Sequence, residues 1–226
     1  MNTEDFIFEA RKILNPILGE KGCVLYSSIS TLRPGPIYVM GLNPGGNPSD
    51  DETTIGRSLE TLPKYRDNSY LDESWSNHKK YEKGKHPIQK NMRTLADVLG
   101  YDLRQICASN LIFLKSKDAH GSRFYELADL CWRVHRLILD IIQPSTLIVF
   151  GIDNISPYSY LTKKIADKEP VSFPSGHGKL SCYAFNAEDE TRHFKVIALP
   201  HFSRYSLAGK HDVIEWLKRE NILHVC

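Results

Sequence analysis

Four short, mainly apolar runs at 37–40, 106–114, 147–150 and 196–199 alternate with amphipathic helical segments, and this alternation constrains the fold more than anything else in the chain. A run such as Ile37-Tyr38-Val39-Met40 has no polar face, so as a strand it must be covered on both sides, as strands of parallel sheets are. Helical periodicity supplies the cover at 88–99, stopped by Gly100, at 124–142, stopped before Pro144, and at about 209–220. An earlier helix, capped by Thr3, carries Phe6, Ile7, Ala10, Ile13 and Leu14 and ends near Pro16. The expected class is α/β with a largely parallel sheet. A short further strand is expected at 180–185, after an irregular stretch, 170–179, that holds Phe173-Pro174-Ser175-Gly176-His177-Gly178. Residues 45–86 follow neither period and are expected to form a long loop that covers a site.

With 226 residues and 41% apolar content the chain can bury a sizeable core, so one domain spanning 1–226 is expected. Twenty-nine Lys and Arg against 27 Asp and Glu give a net charge of +2, so overall charge favours no class of partner. Locally, Lys79, Lys80, Lys83, Lys85, Lys90 and Arg93 stand against the single carboxylate Glu82, a pattern suited to a polyphosphate or to a plain solvated face. Five cysteines, Cys23, Cys107, Cys131, Cys182 and Cys226, show no metal-ligand spacing, so reduced thiols and no bound metal are expected. The start of the chain has no secretory pattern, and no apolar run reaches the roughly 20 residues of a membrane span. A cytoplasmic protein without a membrane partner is the expectation.

Chemistry gathers at the strand ends. The run 37–40 breaks into Gly-Leu-Asn-Pro-Gly-Gly at 41–46, which also reads as a type II turn with Gly45 supplying the positive φ. Asn110, Gly151 and His201 terminate the other three strands, and in a parallel sheet all carboxyl ends share one edge. An Asn offers a carbonyl and an amino group to the edge of a base, and a His can donate to a carbonyl that gains charge. The plainer alternatives are that Asn110 caps a turn and that His201 bonds a backbone carbonyl.

Together these segments resemble the uracil-DNA glycosylase superfamily. Residues 41–45 look like its first motif as found in the mismatch-specific and single-strand-selective branches. Asn110, in Cys-Ala-Ser-Asn-Leu-Ile-Phe, matches its base-reading Asn, and His201-Phe202-Ser203-Arg204-Tyr205-Ser206 resembles its second motif. The segments His86-Pro-Ile-Gln-Lys-Asn-Met-Arg-Thr-Leu and Gln143-Pro-Ser-Thr-Leu-Ile-Val-Phe-Gly are similar too, so the likeness runs from about Pro36 to Ser206 in order. It implies a three-layer α/β/α sandwich with a central, largely parallel four-stranded sheet. It also implies a monomeric hydrolase of N-glycosyl bonds that flips a nucleotide out of DNA, needs no cofactor and leaves an abasic site.

By this resemblance Asn43 positions the attacking water and His201 bonds the base O2. Asn110 reads the base, with Gly41, Leu42 and Gly45 beside it. Gly46 and Ser203 hold phosphates, Lys79, Lys80 and Lys83 contact DNA, and Tyr205 is the wedge that fills the vacated stack, with Arg204 as the other candidate. A stacking aromatic is expected among Tyr65, Tyr70, Trp75 and Tyr81. The second motif departs from the family's His-Pro-Ser-Pro at Phe202 and Arg204, and only Cys131 falls near an iron–sulfur ligand position, so no cluster is expected. Where strict uracil enzymes have an aromatic that blocks C5, this chain has Gly45. A C5-modified pyrimidine is therefore expected, extending to the glucosylated hydroxymethylcytosine of some phage genomes and an antiviral role. The alternatives are uracil or mismatch repair and a non-catalytic binder of modified DNA.

Overall fold

The wholly apolar runs become the centre of one sheet. In a computed structural model describing residues 1–46, 53–77, 79–117, 121–190 and 192–222, with backbone only at 76–77, 79–80 and 221–222, the strands are β1 (Ile37–Gly41), β2 (Ser76–Asn77), β3 (Lys79–Lys80), β4 (Cys107–Asn110), β5 (Thr146–Phe150), β6 (Val171–Pro174), β7 (Ser181–Asp189) and β8 (Arg192–Leu199). The main sheet has six strands in the order β4-β1-β5-β8-β7-β6, and β2 and β3 pair separately. Strands β4, β1, β5 and β8 are parallel, and β1, β4 and β5 are buried at every position. The sheet thus has six strands where four were expected. The parallel block is extended by β7 and β6, both antiparallel to their neighbours. Strand β7 alternates exposed and buried residues over much of its length, and β6 is largely exposed, as befits an edge.

The helices are α1 (Thr3–Ile13), α2 (Ile55–Thr61), α3 (Ser69–Asp72), α4 (Pro87–Leu99), α5 (Phe124–Ile142), α6 (Pro157–Ile165) and α7 (His211–Ile222). One face of the sheet, through Tyr38, Met40, Cys107, Leu147 and Val149, packs against α1, α5 and α6. The other, through Val39, Ala108, Ile148, Phe150 and Leu199, packs against α4 and α7. Each large apolar side chain so buried stabilises by roughly 1.5–3 kcal/mol. Three layers result. Helix α4 stops where Gly100 turns left-handed at φ 76°.

Local physics corrects four expectations. Asn2, not Thr3, caps α1, and its side chain exchanges hydrogen bonds with Asp5 in a capping box. Residues 45–86 are not one loop, since Ile55, Leu59 and Leu62 recur at helical spacing and α2 docks beside α1 through Gly56 N–H to Leu18 O (2.9 Å). Only the later part of that segment, with Tyr70 and Trp75, joins the core on the α4 side. The run 106–114 pairs as a strand only over Cys107–Asn110, and 180–185 lengthens into β7.

The chain leaves β1 for β4 on one side and returns through β5 on the other, so connections diverge between β1 and β5. In open α/β sheets ligands bind outside the carboxyl ends at such a point. Gly41 and Gly151 stand there.

Candidate active site

The last rung of the parallel block sets the geometry. Gly41 pairs with Asn110, and Met40 with Val149, so Asn110, Gly41 and Phe150 lie in a row on the α4 face. A Cβ on Gly41 would overlap both Asn110 Oδ1 and the Phe150 ring, so glycine is required here by space. The Asn110 side chain and the Phe150 ring therefore lean together over the end of β1. Asn110 is only 5% exposed, yet among the described residues its side-chain amide makes no hydrogen bond. Among the described residues the fully buried side-chain polar atoms without a partner are those of Trp132, Thr146 and Thr162, so the Asn110 amide keeps some access to solvent at the strand end. It does not cap a turn.

Phe150 stacks on Phe202 with centroids 4.9 Å apart and meets His201 at 5.6 Å and 63°. The Ser203 N–H donates to His201 Nδ1 (3.2 Å), and Ser203 Oγ lies 2.7 Å from the same nitrogen. A backbone N–H can only donate, so Nδ1 is the acceptor and the imidazole proton sits on Nε2. Burial, reinforced by the Arg204 guanidinium and partly opposed by Asp153, holds the His201 pKa below its ordinary value. His201 is thus a neutral Nε2–H donor at pH 7, not a group spent on a backbone carbonyl. Gly151, with φ 114°, passes close to the His201 ring.

Residues 41–46 continue the parallel pairing beyond the strands, through Leu111 N–H to Gly41 O (2.8 Å), Ile112 N–H to Leu42 O (2.9 Å) and Ser116 N–H to Pro44 O (3.0 Å). Asn43 Nδ2 donates to Pro44 O (3.0 Å) and, at 3.4 Å, to Ser116 O. These bonds tie the amide nitrogen to the backbone of its own loop and of the segment after β4. The positive φ of the turn belongs to Gly46 (105°), not Gly45. A Cβ on Gly45 would meet nothing within 4 Å among the described residues. Among the described residues neither backbone conformation nor crowding demands glycine at 45. Lys115 lies over Gly46, where its Cε is 3.2 Å from the place a Cβ would take.

Tyr205 is not a wedge. It is 2% exposed, and its hydroxyl donates to Ser175 O at 3.0 Å, because the hairpin between β6 and β7 closes over it. Arg204 is the exposed neighbour, its side chain 80% accessible and 3.8 Å from Asp153. Leu42 turns its side chain to the opposite face, against the core under α1 and α5, so it does not line a base with that side chain. Lys83 is exposed, and the side chains of Lys79 and Lys80 lie outside the described residues.

Tyr70 is fully buried, Tyr81 packs edge-on to His86 (5.0 Å), and Tyr65 bonds Ser69 and Glu73. Trp75 is half-buried at the centre of a cluster with Tyr26, Tyr70 and His86, at 6.1, 5.5 and 5.5 Å.

Sequence reasoning missed Phe150 as a wall and Asn91 as a clamp. Asn91 Nδ2 donates to Phe202 O and Tyr205 O, both at 2.8 Å, which fixes the loop that presents His201. The signal was present: Asn91 is a polar residue at helical spacing from Ile88 and Leu95 on the apolar face of α4.

Among the described residues no group of His, Cys, Asp and Glu is placed to hold a metal, and no helix is long and apolar enough to cross a membrane. Cys107, Cys131 and Cys182 are buried thiols whose pKa values burial pushes up to about 12. Cys226 lies outside the described residues. No family model matches the chain, and no curated protein sequence matches it.

Proposed function

We propose that the protein is a DNA glycosylase that extrudes a modified pyrimidine and hydrolyses its N-glycosidic bond. The observation that carries this reading is the nearly buried, unpaired amide of Asn110 beside Phe150 and the Nε2–H donor His201, at the sheet's switch point. An amide gives a base edge both donor and acceptor, which suits an extruded pyrimidine held in a tight pocket. As the bond from C1′ to N1 breaks, its electron pair moves into the base, and charge develops at O2. A preorganised donor there contributes about 3–4 kcal/mol, the role assigned to His201. Water held by Asn43 adds to the cationic C1′, and the proton it sheds goes to the departing base. Asn43 orients this water and does not deprotonate it.

Among the described residues nothing lies within 4 Å of a Cβ placed on Gly45, which supports a substrate with a bulky C5 substituent such as glucosylated hydroxymethylcytosine, and with it an antiviral role. A panel of oligonucleotides bearing uracil, thymine mispairs, hydroxymethylcytosine or its glucosylated form, followed by alkaline cleavage of abasic sites, tests this. Strand breaks at a C5-modified base support the proposal. Breaks at uracil alone select the repair reading, and binding without breaks selects a non-catalytic binder.

A further inference from the structure

The hairpin between β6 and β7, Pro174-Ser175-Gly176-His177-Gly178-Lys179, has no part in the reaction just described, yet it is built against the loop that carries His201. Its tip is shaped by left-handed Gly176 (φ 64°) and Gly178 (φ 56°) and by the His177 N–H, which donates to Ser175 Oγ at 3.2 Å. Two bonds tie the tip to the second-motif side. Tyr205 Oη donates to Ser175 O, and Lys210 Nζ donates to Gly176 O at 2.5 Å while lying 5.8 Å from the Tyr205 ring centroid. The buried tyrosine is thus the strut between hairpin and loop.

Between them runs an open groove of about 380 Å³ lined by Asn91, His177, Ser203, Arg204, Ser206 and Lys210. Lys210 also borders a second hollow of about 410 Å³ with Gly176, His211 and Asp212. The first groove has two cations, Arg204 and Lys210, an imidazole, His177, and two serine hydroxyls on its walls, and no carboxylate. Asp153 stands 3.8 Å from Arg204, and Asp212 lines the second hollow. Phe202 and Tyr205 also border the groove, but at 0% and 2% exposure neither offers a face on which a base can stack.

We infer that this groove holds the phosphodiester backbone of the strand carrying the extruded nucleotide, on one side of it, with the hairpin tip as its outer wall. Spaced cations and hydroxyls without an aromatic face are the chemistry of backbone positioning rather than base reading. This inference rests on the glycosylase reading and adds to the phosphate contact expected of Ser203 the hairpin tip and Lys210, to which that reading gives no part.

The test is fluorescence anisotropy with a labelled oligonucleotide carrying the target base at its centre and with versions cut back on either side. His177→Glu and Lys210→Gln are compared with the wild type over a salt series, with thermal melting as the control for folding. His177 is exposed at the tip, so its variant keeps the fold even if Lys210→Gln loosens the hairpin. Each variant is expected to bind about three- to tenfold more weakly, with a salt slope smaller by about 1. Cutting back one side only should weaken the wild type and leave the variants unchanged. Wild-type affinity and slope in both variants overturn the groove while leaving the glycosylase reading intact. Absence of any DNA binding by the wild type overturns both.

Discussion

The Asn110 side-chain amide makes no hydrogen bond among the described residues and keeps some access to solvent, so the fold does not depend on it. Asn110→Ala should therefore leave the unfolding free energy unchanged or raised, within about 0.5 kcal/mol, where loss of a structural hydrogen bond would lower it by about 1 kcal/mol or more. The same variant should lose at least about 100-fold in kcat/KM on the excised base, since the base edge is left unpaired in the pocket. Chemical denaturation and single-turnover kinetics measure the two effects. His201 makes a prediction of opposite character. Its pKa is depressed, so the neutral donor dominates at pH 7 and is lost as pH falls through the folded value. Activity should decline on the acid side. Arg204→Gln removes a cation that disfavours the imidazolium, so the acid limb of the kcat profile should move to higher pH. An unmoved limb removes either His201 or its coupling to Arg204 from the mechanism.

At the scale of elements, a buried network holds the rung on which the site stands. Tyr38 Oη lies 2.8 Å from His135 Nδ1, and His135 Nε2 lies 3.1 Å from Leu111 O, joining β1, α5 and the residue after Asn110. The carbonyl can only accept, so Nε2 donates and Tyr38 donates to Nδ1. Burial holds the His135 pKa down to about 4. The unfolded chain therefore takes up this proton first as pH drops below about 6.5, and stability falls from there to about pH 4, by roughly 3 kcal/mol. His135→Phe should flatten this slope and, by leaving Tyr38 and Leu111 unpaired, destabilise the protein at pH 7 by about 1–3 kcal/mol. Urea denaturation at a series of pH values checks both.

At this scale the parallel strands were legible as apolar runs, and α4 and α5 because each repeats one period over its whole length. The cap at Asn2 rests on a local signal, the pair Asn2 and Asp5, one residue before the expected Thr3. Helices α2 and α3 were not legible, because the spacing of Ile55, Leu59 and Leu62 spans too few turns to decide a helix without contacts such as Gly56 on Leu18. The burial of Tyr205 was hidden for the same reason, since the hairpin that covers it is 30 residues away in the chain.

Over the whole molecule, the strand order sets the carboxyl ends of four distant segments along one edge, where the proposed reaction needs Asn43, Asn110 and His201. Their placement at strand ends was readable from where apolar runs stop. Which side chains lean over Gly41 was not, because that depends on register. A six-stranded sheet with α/β/α layers hosts many chemistries, so the fold alone assigns none. The assignment stands on bond cleavage, and the decisive measurement is mass spectrometry of the small molecules released when the protein is incubated with DNA carrying the C5-modified bases. Free modified base from the wild type, and none from Asn43→Ala with DNA affinity retained, is the expected result. DNA that is bound by the wild type but yields no free base and no abasic site contradicts it.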